Sequence, residues 1–444
     1  MIRIANGQGF WGDWLEAPVR LLEQGPIDYL TLDYLAEVTM AILQKQRQRN
    51  PSLGYARDFP PLMARLAPLL RERGVRVVAN AGGLNPVACA REIRKLAAGL
   101  KVAVVLGDDV TDRIPEFLGK GELLANLDTG LPIAPIRDRI LSANAYLGAF
   151  PLAEALATGA DVVVTGRCAD VALLLAPAIH RFGWKTSDTH LLAAGVVAGH
   201  IIECGAQATG GNSQVDWRNL ENLEEIGYPI VEMEPDGGFE VTKHPGTGGR
   251  VDSHTVKEQL LYEIGDPRRY ITPDCVADFT TVRLRDVAPN RVRVEGVRGA
   301  PPTGLLKLSI NYSAGWKAAG TLVYTWPDAL EKAAEANRIV RRRLQALGLE
   351  FEEIRSEFLG VNACHGMAAP PTADPPEVQL RVGVRGDRRE DVERFTRELA
   401  PLVLSGPPGA TGYADSRPPV REVVAYWPAL IPAAEIRAKV QVVE

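Results

Sequence analysis

The sequence predicts an α/β protein. A mainly parallel sheet with flanking helices is expected over residues 1–280, followed over 281–444 by an α+β part with a ferredoxin-like β-α-β-β-α-β half. Three observations predict it. Short apolar runs alternate with amphipathic segments through the first part, the pattern of a parallel sheet covered by helices. Polar residues recur just beyond the predicted strand ends, where ligands bind in such sheets. After about residue 280 the strands become longer and alternate, and their order with helices fits a split β-α-β unit.

The first strand, Ile2–Ala5, runs into Gly7-Gln8-Gly9-Phe10-Trp11-Gly12, and Asp33 follows at the end of a second apolar run. On paper this is a dinucleotide-binding fingerprint, which requires the last glycine to open a helix. Pro18 argues against it. Lacking an N–H, proline belongs in a helix's first turn, so the helix runs from Glu16 or Ala17 to Gln24 and stops at Gly25. Phe10 and Trp11 also crowd the phosphate approach. The loop is therefore read as a substrate-facing wall, with a nicotinamide cofactor as the alternative.

Further strands are expected at Tyr29–Leu32, Val75–Ala79, Val102–Leu106 and Val162–Thr165. Helix starts are legible between them. Asp58 can cap a helix entered through Pro60 and Pro61, Asn85 precedes Pro86, Pro151 opens another helix, and Asp170 can cap Val171–His180. A helix beginning near Asp188 is expected to carry His200 to Gln207. In the second part, strands are expected at Arg291–Val297, Leu306–Tyr312, Thr321–Trp326, Ile354–Val361, Val378–Val384 and Val420–Ala425. Helices cover Asp328–Ala346 and Asp391–Leu402, and a proline-rich loop spans Pro370–Pro376.

The residues just past the strand ends are Asn6, Asp33, Asn80, Asp108 with Asp109, Asn144, and Arg167 with Asp170. Asn and Asp are also ordinary turn formers and helix caps, and about half of these residues are assigned to capping. Gly82 and Gly83 follow Asn80 and are counted with Gly7 and Gly9 as substrate-facing. Paired carboxylates such as Asp108 and Asp109 bind Mg²⁺ or push one pKa upward. Arg167 can hold a carboxylate. Cys168 lacks a sequence partner that would make it a nucleophile.

His200, Glu203, Cys204 and Gln207 stand at helical offsets of three and four and share a face. They form either an acid/base centre, with His200 and Glu203 sharing protons and Cys204 auxiliary, or a divalent metal site. In the alternative, Cys204 is a small apolar filler and His200 bonds a backbone carbonyl. Thr209-Gly210-Gly211 and Thr247-Gly248-Gly249-Arg250 offer hydroxyls, backbone N–H groups and a guanidinium for a carboxylate or the phosphates of coenzyme A. Equally, such glycines end helices and form turns.

Composition excludes several classes. A net charge of -5 over 444 residues gives no footprint for nucleic acid. No apolar run reaches the length of a membrane span, and no secretory signal is visible. Five cysteines without a C-x-x-C pair point to reduced thiols in a cytoplasm. There is no G-x-S-x-G elbow and no Walker motif, so serine-hydrolase and P-loop readings fall away.

Several long runs, taken in order, resemble the acyclic terpene utilisation protein family. They are Asn6–Asp13, Leu32–Met40, Asn80–Pro86, Gly107–Asp109, Ser142–Gly148, Thr165–Asp170, Ala198–Gly211, Thr247–Gly249, Glu258–Asp266, Ser405–Tyr413 and Tyr426–Pro432. The resemblance makes the opening glycines part of N-G-x-G-F-W-G-D rather than a nicotinamide motif. It implies a context of terpene breakdown through acyl-CoA intermediates and carries no established catalytic residues. The expectation is a cytoplasmic, homo-oligomeric enzyme performing acid/base chemistry on a branched carboxylic acid or CoA thioester. Asp108, Asp109, Arg167, Asp170, His200, Glu203 and Cys204 are its candidate catalytic residues. No cofactor is assigned, although a divalent metal and coenzyme A as part of the substrate stay open. A metal-dependent enzyme and a non-catalytic assembly subunit are the alternatives.

Overall fold

The computed structural model describes the chain except residues 123, 215, 371–373 and 413–416, and the side chain of residue 38. The middle of the expected loop Pro370–Pro376, and Tyr413 at the end of one resembling run, therefore lie outside the described residues. The chain forms mixed α/β structure in two compact units, Met1–Asn311 with Tyr426–Glu444, and Tyr312–Ala425.

In the first unit, five strands form a parallel centre in the order Ile2–Gln8, Tyr29–Leu32, Arg76–Ala79, Val162–Thr165 and Val102–Leu106. Most are nearly continuous apolar runs because helices cover both faces. On one face lie Ala149–Ala157, Ala172–Phe182 and Thr189–Ile202, packed on Ile4, Val78, Val163 and Ala103. On the other lie Ala17–Gln24, Phe59–Arg73 and Pro86–Leu96, packed on Leu30, Val77, Val164 and Val104.

The sheet is mixed rather than mainly parallel. Ile230–Met233, Phe239–Thr242, Arg291–Glu295 and Arg283–Ala288 extend it antiparallel beside Ile2–Gln8, and Lys439–Val443 pairs antiparallel with Val102–Leu106 at the other edge. Residues 283–295 thus join this sheet, although they were expected with the second part. A polar ladder helps to hold the extension: Arg291 donates to Glu232 at 2.5 Å and to Glu240 at 2.6 Å.

Several expected helix starts use other chemistry. Pro18 does stand in the first turn of Ala17–Gln24, and Asn85 Oδ1 accepts from the Ala88 N–H at 3.3 Å. Asp58 makes no cap bond; its carboxylate accepts from Trp11 Nε1 at 2.7 Å. Asp170 does not cap its helix either, because its carboxylate is taken by Arg167. The helix Thr189–Ile202 ends before the expected face is complete, so Cys204 and Gln207 fall outside it.

The second unit begins at Tyr312 within Leu305–Thr325, one strand where two were expected. That strand is followed by Ala329–Ala346, Glu353–Leu359, Glu377–Gly386, two helices Arg389–Phe395 and Leu402–Ser405 where one was expected, and Arg421–Pro432. The strands lie in the order Glu353–Leu359, Glu377–Gly386, Leu305–Thr325, Arg421–Pro432. Leu322, Tyr324, Val340, Leu380 and Phe395 form its core. Among the described residues no helix is long and apolar enough to cross a membrane.

Candidate active site

The helix Thr189–Ile202 is buried along almost its whole length. Its sequence is rich in Ala, Gly, Val and Ile, which suits close packing rather than solvent exposure. It delivers His200 to the wall of a cavity of about 730 Å³ in the first unit. Asn6 fixes the helix end by donating its side-chain amide to the carbonyls of Ile202 at 2.6 Å and Glu203 at 2.8 Å. One turn apart, His200 Nδ1 and Glu203 Oε1 lie 3.0 Å from each other. The imidazole packs on Tyr270 and Phe279, each with its ring centroid 5.2 Å away.

Burial disfavours the imidazolium, but the Glu203 hydrogen bond and charge outweigh it, so the His200 pKa goes up. Burial also raises the Glu203 pKa, against the pull of His200. Among the described residues, His200 Nε2 and Glu203 Oε2 have no hydrogen-bond partner. Buried polar atoms are normally paired, so these two stand ready for a further group.

Arg167 lines the same cavity and is fully buried. Its Nη1 donates to the Leu35 carbonyl at 2.8 Å and to Asp170 at 2.5 Å, and its guanidinium stacks 4.1 Å from the Tyr146 ring centroid. Tyr146 in turn donates its hydroxyl to Glu37 at 2.6 Å, and Lys307 donates to the same Glu37 oxygen at 3.2 Å. Burial opposes the Glu37 charge, but Arg167, the tyrosine hydroxyl and Lys307 outweigh it and hold the pKa down at about 2. Glu37, Tyr146 and Lys307 all line the cavity.

Beneath these groups is a second set of buried polar side chains. Asn80 donates to Asp33 at 2.7 Å and accepts from the Tyr34 N–H at 2.6 Å. Burial and the neighbouring Asp170 charge push the Asp33 pKa well up. Asp108 accepts from the Arg167 N–H at 2.8 Å and from Asn144 at 2.9 Å. Burial raises its pKa to about 6 despite these donors. Asp33, Asn80, Asp108 and Asn144 therefore support the backbone that carries Arg167 and the residues around Leu35.

The remaining candidates stand elsewhere. Asp109 holds the next turn, accepting from Thr111 and pairing with Arg47 at 3.2 Å. Cys204 has its thiol pushed up to about 12 by burial and the Glu203 charge, so it is no thiolate at neutral pH. Gly7 lies inside the first strand, where a Cβ would meet Leu32 and Pro18 at 3.1 Å. At Gly9 a Cβ would meet the Cys204 backbone at 2.7 Å. The Gly9 N–H donates to Asp13 at 2.9 Å, and the Tyr228 hydroxyl donates to the same carboxylate at 2.7 Å. The glycine loop thus packs on the end of the His200 helix, and no helix opens at Gly12.

Gly82 and Gly83 form the turn before Pro86; a Cβ on them would strike the Thr165 and Gly54 carbonyls. Thr209 spends its hydroxyl on the Ala206 and Gly227 carbonyls at 2.8 and 2.6 Å. Gly210 and Gly211 end that turn. Thr247 donates to the His244 carbonyl at 2.7 Å, and the Arg250 N–H donates to Thr209 at 2.8 Å. Gly248 and Gly249 are bound to Glu225 and Glu221 through their N–H groups, and Arg250 pairs with Asp252 at 2.6 Å. The two glycine loops bind each other, and neither lines the cavity. Among the described residues no three His, Cys, Asp or Glu side chains stand in a metal-holding arrangement.

Sequence reasoning missed Glu37, Tyr146, Glu263, Arg269, Tyr270 and Lys307, which line the cavity. Glu37, Tyr146 and Glu263 lie inside runs that carry the resemblance, so their signal was present but unread. Lys307 sits in a strand with no motif around it.

No curated protein and no solved structure matches the chain. One family does, over residues 2–442: the one described as acyclic terpene utilisation family protein AtuA. Matched over nearly its whole length, the chain belongs to this family, whose role is in acyclic terpene utilisation.

Proposed function

We propose that the protein is a cytoplasmic, homo-oligomeric enzyme of acyclic terpene breakdown, acting by acid/base chemistry on a branched carboxylic acid or its CoA thioester. Hydration, lyase cleavage, isomerisation and hydrolysis all fit this reading. The observation that carries it is the 3.0 Å contact between His200 Nδ1 and Glu203 in the cavity wall, with Nε2 unpartnered among the described residues. With its Nδ1–H donated to Glu203, the imidazole presents a basic lone pair at Nε2. Glu203 then stabilises the imidazolium that forms on proton uptake. Arg167, held by Asp170 and Tyr146, gives a fixed positive charge for a developing oxyanion. The second unit is read as a ferredoxin-like module; its strand order and helix placement support that reading.

The test is complementation. A strain lacking this gene and unable to grow on an acyclic terpene should regain growth with the wild-type chain and fail with His200→Ala at equal protein level. Full rescue by His200→Ala would sink the acid/base reading. Loss of rescue in Glu203→Gln, with protein level unchanged, would support it further.

A further inference from the structure

The cavity has a buried charged floor at Arg167 and His200, and an open side where large apolar side chains stand among partly exposed charges. Leu127, Ile271, Leu305 and Leu430 all line it, and each is between 39% and 53% exposed. Large apolar side chains gathered in the open around one cavity mark a surface for an apolar ligand. The floor is different, since Arg167 and His200 are only 2% and 1% exposed.

Charge on that floor is already matched. Arg167 is paired with Asp170 and Lys307 with Glu37, while the His200 imidazole is hydrogen-bonded to Glu203 through Nδ1. What the floor lacks is hydrogen bonds rather than counter-charge. Arg167 Nε, His200 Nε2 and Glu203 Oε2 are buried and without a hydrogen-bond partner among the described residues. A carbonyl or hydroxyl oxygen can accept from Arg167 Nε–H, and a hydroxyl can in addition donate to one of the two acceptors, His200 Nε2 or Glu203 Oε2. A carboxylate placed there would add a negative charge beside Glu37, Asp170 and Glu203 with no unpaired cation to receive it, which is costly at a buried position. Of the cations lining the cavity, Arg269 alone makes no salt bridge among the described residues, and it is exposed.

Resting on the reading of this cavity as the substrate site, we infer that the group reaching the floor is an uncharged carbonyl or hydroxyl of a molecule with an apolar chain, and that any negative charge of that molecule stays at the rim by Arg269. A thioester with its charged part turned outward, or an alcohol, satisfies this. A free carboxylate directed to the floor does not.

Three probes sharing one branched medium-length chain test it by calorimetry on the full chain: the methyl ester, the alcohol and the carboxylate salt, at pH 8. The ester and the alcohol should each bind about tenfold more tightly than the carboxylate. Arg269→Ala should weaken binding of a branched acyl-CoA severalfold while leaving the methyl ester unchanged. A carboxylate that binds as tightly as the ester, or no binding by any of the three, overturns the inference. If the uncharged probes win while His200→Gln turns substrate over as fast as the wild type, the acid/base reading fails and the charge inference stands.

Discussion

Asn6 donates its side-chain amide to the backbone carbonyl of Glu203 at 2.8 Å, joining the end of the first strand to the end of the helix that bears His200. The same amide reaches Ile202 at 2.6 Å. The N-terminal motif therefore contributes to the site through positioning: it holds the helix end where His200 and Glu203 meet.

Replacing Asn6 with Ala leaves two helix-end carbonyls without their donor. Unmade buried hydrogen bonds cost about 1–3 kcal/mol each, so Asn6→Ala should destabilise the chain by about 2–3 kcal/mol. Urea unfolding checks this. A loss below about 0.5 kcal/mol would mean that water or a neighbour replaces the amide.

Gly9 is required by close approach, since an added Cβ would meet the Cys204 backbone at 2.7 Å. Gly9→Ala should cost about 1–3 kcal/mol through overpacking. The control is Gly119→Ala, at a helical glycine where a Cβ has open space and where alanine is the better helix former. Thermal unfolding of the two variants should move in opposite directions.

Asp108 makes a signed prediction about pH. Its folded pKa is raised to about 6 from an ordinary 3.8, so between those values the folded chain binds a proton that the unfolded chain has released. Its stabilising contribution is complete below the unfolded value and disappears as pH rises through about 6. The span corresponds to about 3 kcal/mol. Asp108→Asn keeps an acceptor oxygen for Arg167 and Asn144 but cannot titrate. The difference in stability between wild type and variant should therefore shift in favour of the variant from pH 4 to pH 7. Glu37 works in the opposite sense: its pKa is lowered to about 2, so its contribution is present above the ordinary carboxylate value and is lost as pH falls toward 2.

Thiol chemistry should separate the cysteines. Cys89, Cys168 and Cys275 are buried, Cys204 is half-buried with its pKa at about 12, and Cys364 is exposed. Iodoacetamide at pH 7.5 should label Cys364 first, with Cys204 slow until the chain unfolds. Mass spectrometry of a time course reads this directly. Fast labelling of Cys204 in the folded chain would restore it as a reactive group.

Much of the parallel centre was legible because each strand is a short β-branched or apolar run with a polar residue at its end, as in Val102–Leu106 before Asp108. Pro18 gave the first helix within a residue. The antiparallel extension was not legible, because Glu232 and Glu240 interrupt the apolar runs Ile230–Met233 and Phe239–Thr242, and the pairing of Ile230–Met233 with Ile2–Gln8 joins distant parts of the chain. The site was half legible for a related reason. His200 and Glu203 are neighbours on one helix, so spacing alone pairs them. Glu37, Tyr146 and Lys307 come from three separate segments, and the meaning of each charge depends on the other two. The threonine–glycine loops stayed ambiguous in the sequence because N–H groups and hydroxyls look alike whether they face a phosphate or a carbonyl of their own chain.

The strand Lys439–Val443 completes the edge of a sheet begun by Val102–Leu106, and everything from Tyr312 to Ala425 is inserted before it. A ribosome must therefore synthesise the whole second unit while that edge of the first stands open. During translation Val102–Leu106 is a bare, sticky ribbon awaiting its partner. A stop codon before residue 439 would thus leave a nearly full-length polypeptide prone to self-association, even though no cavity residue had been removed.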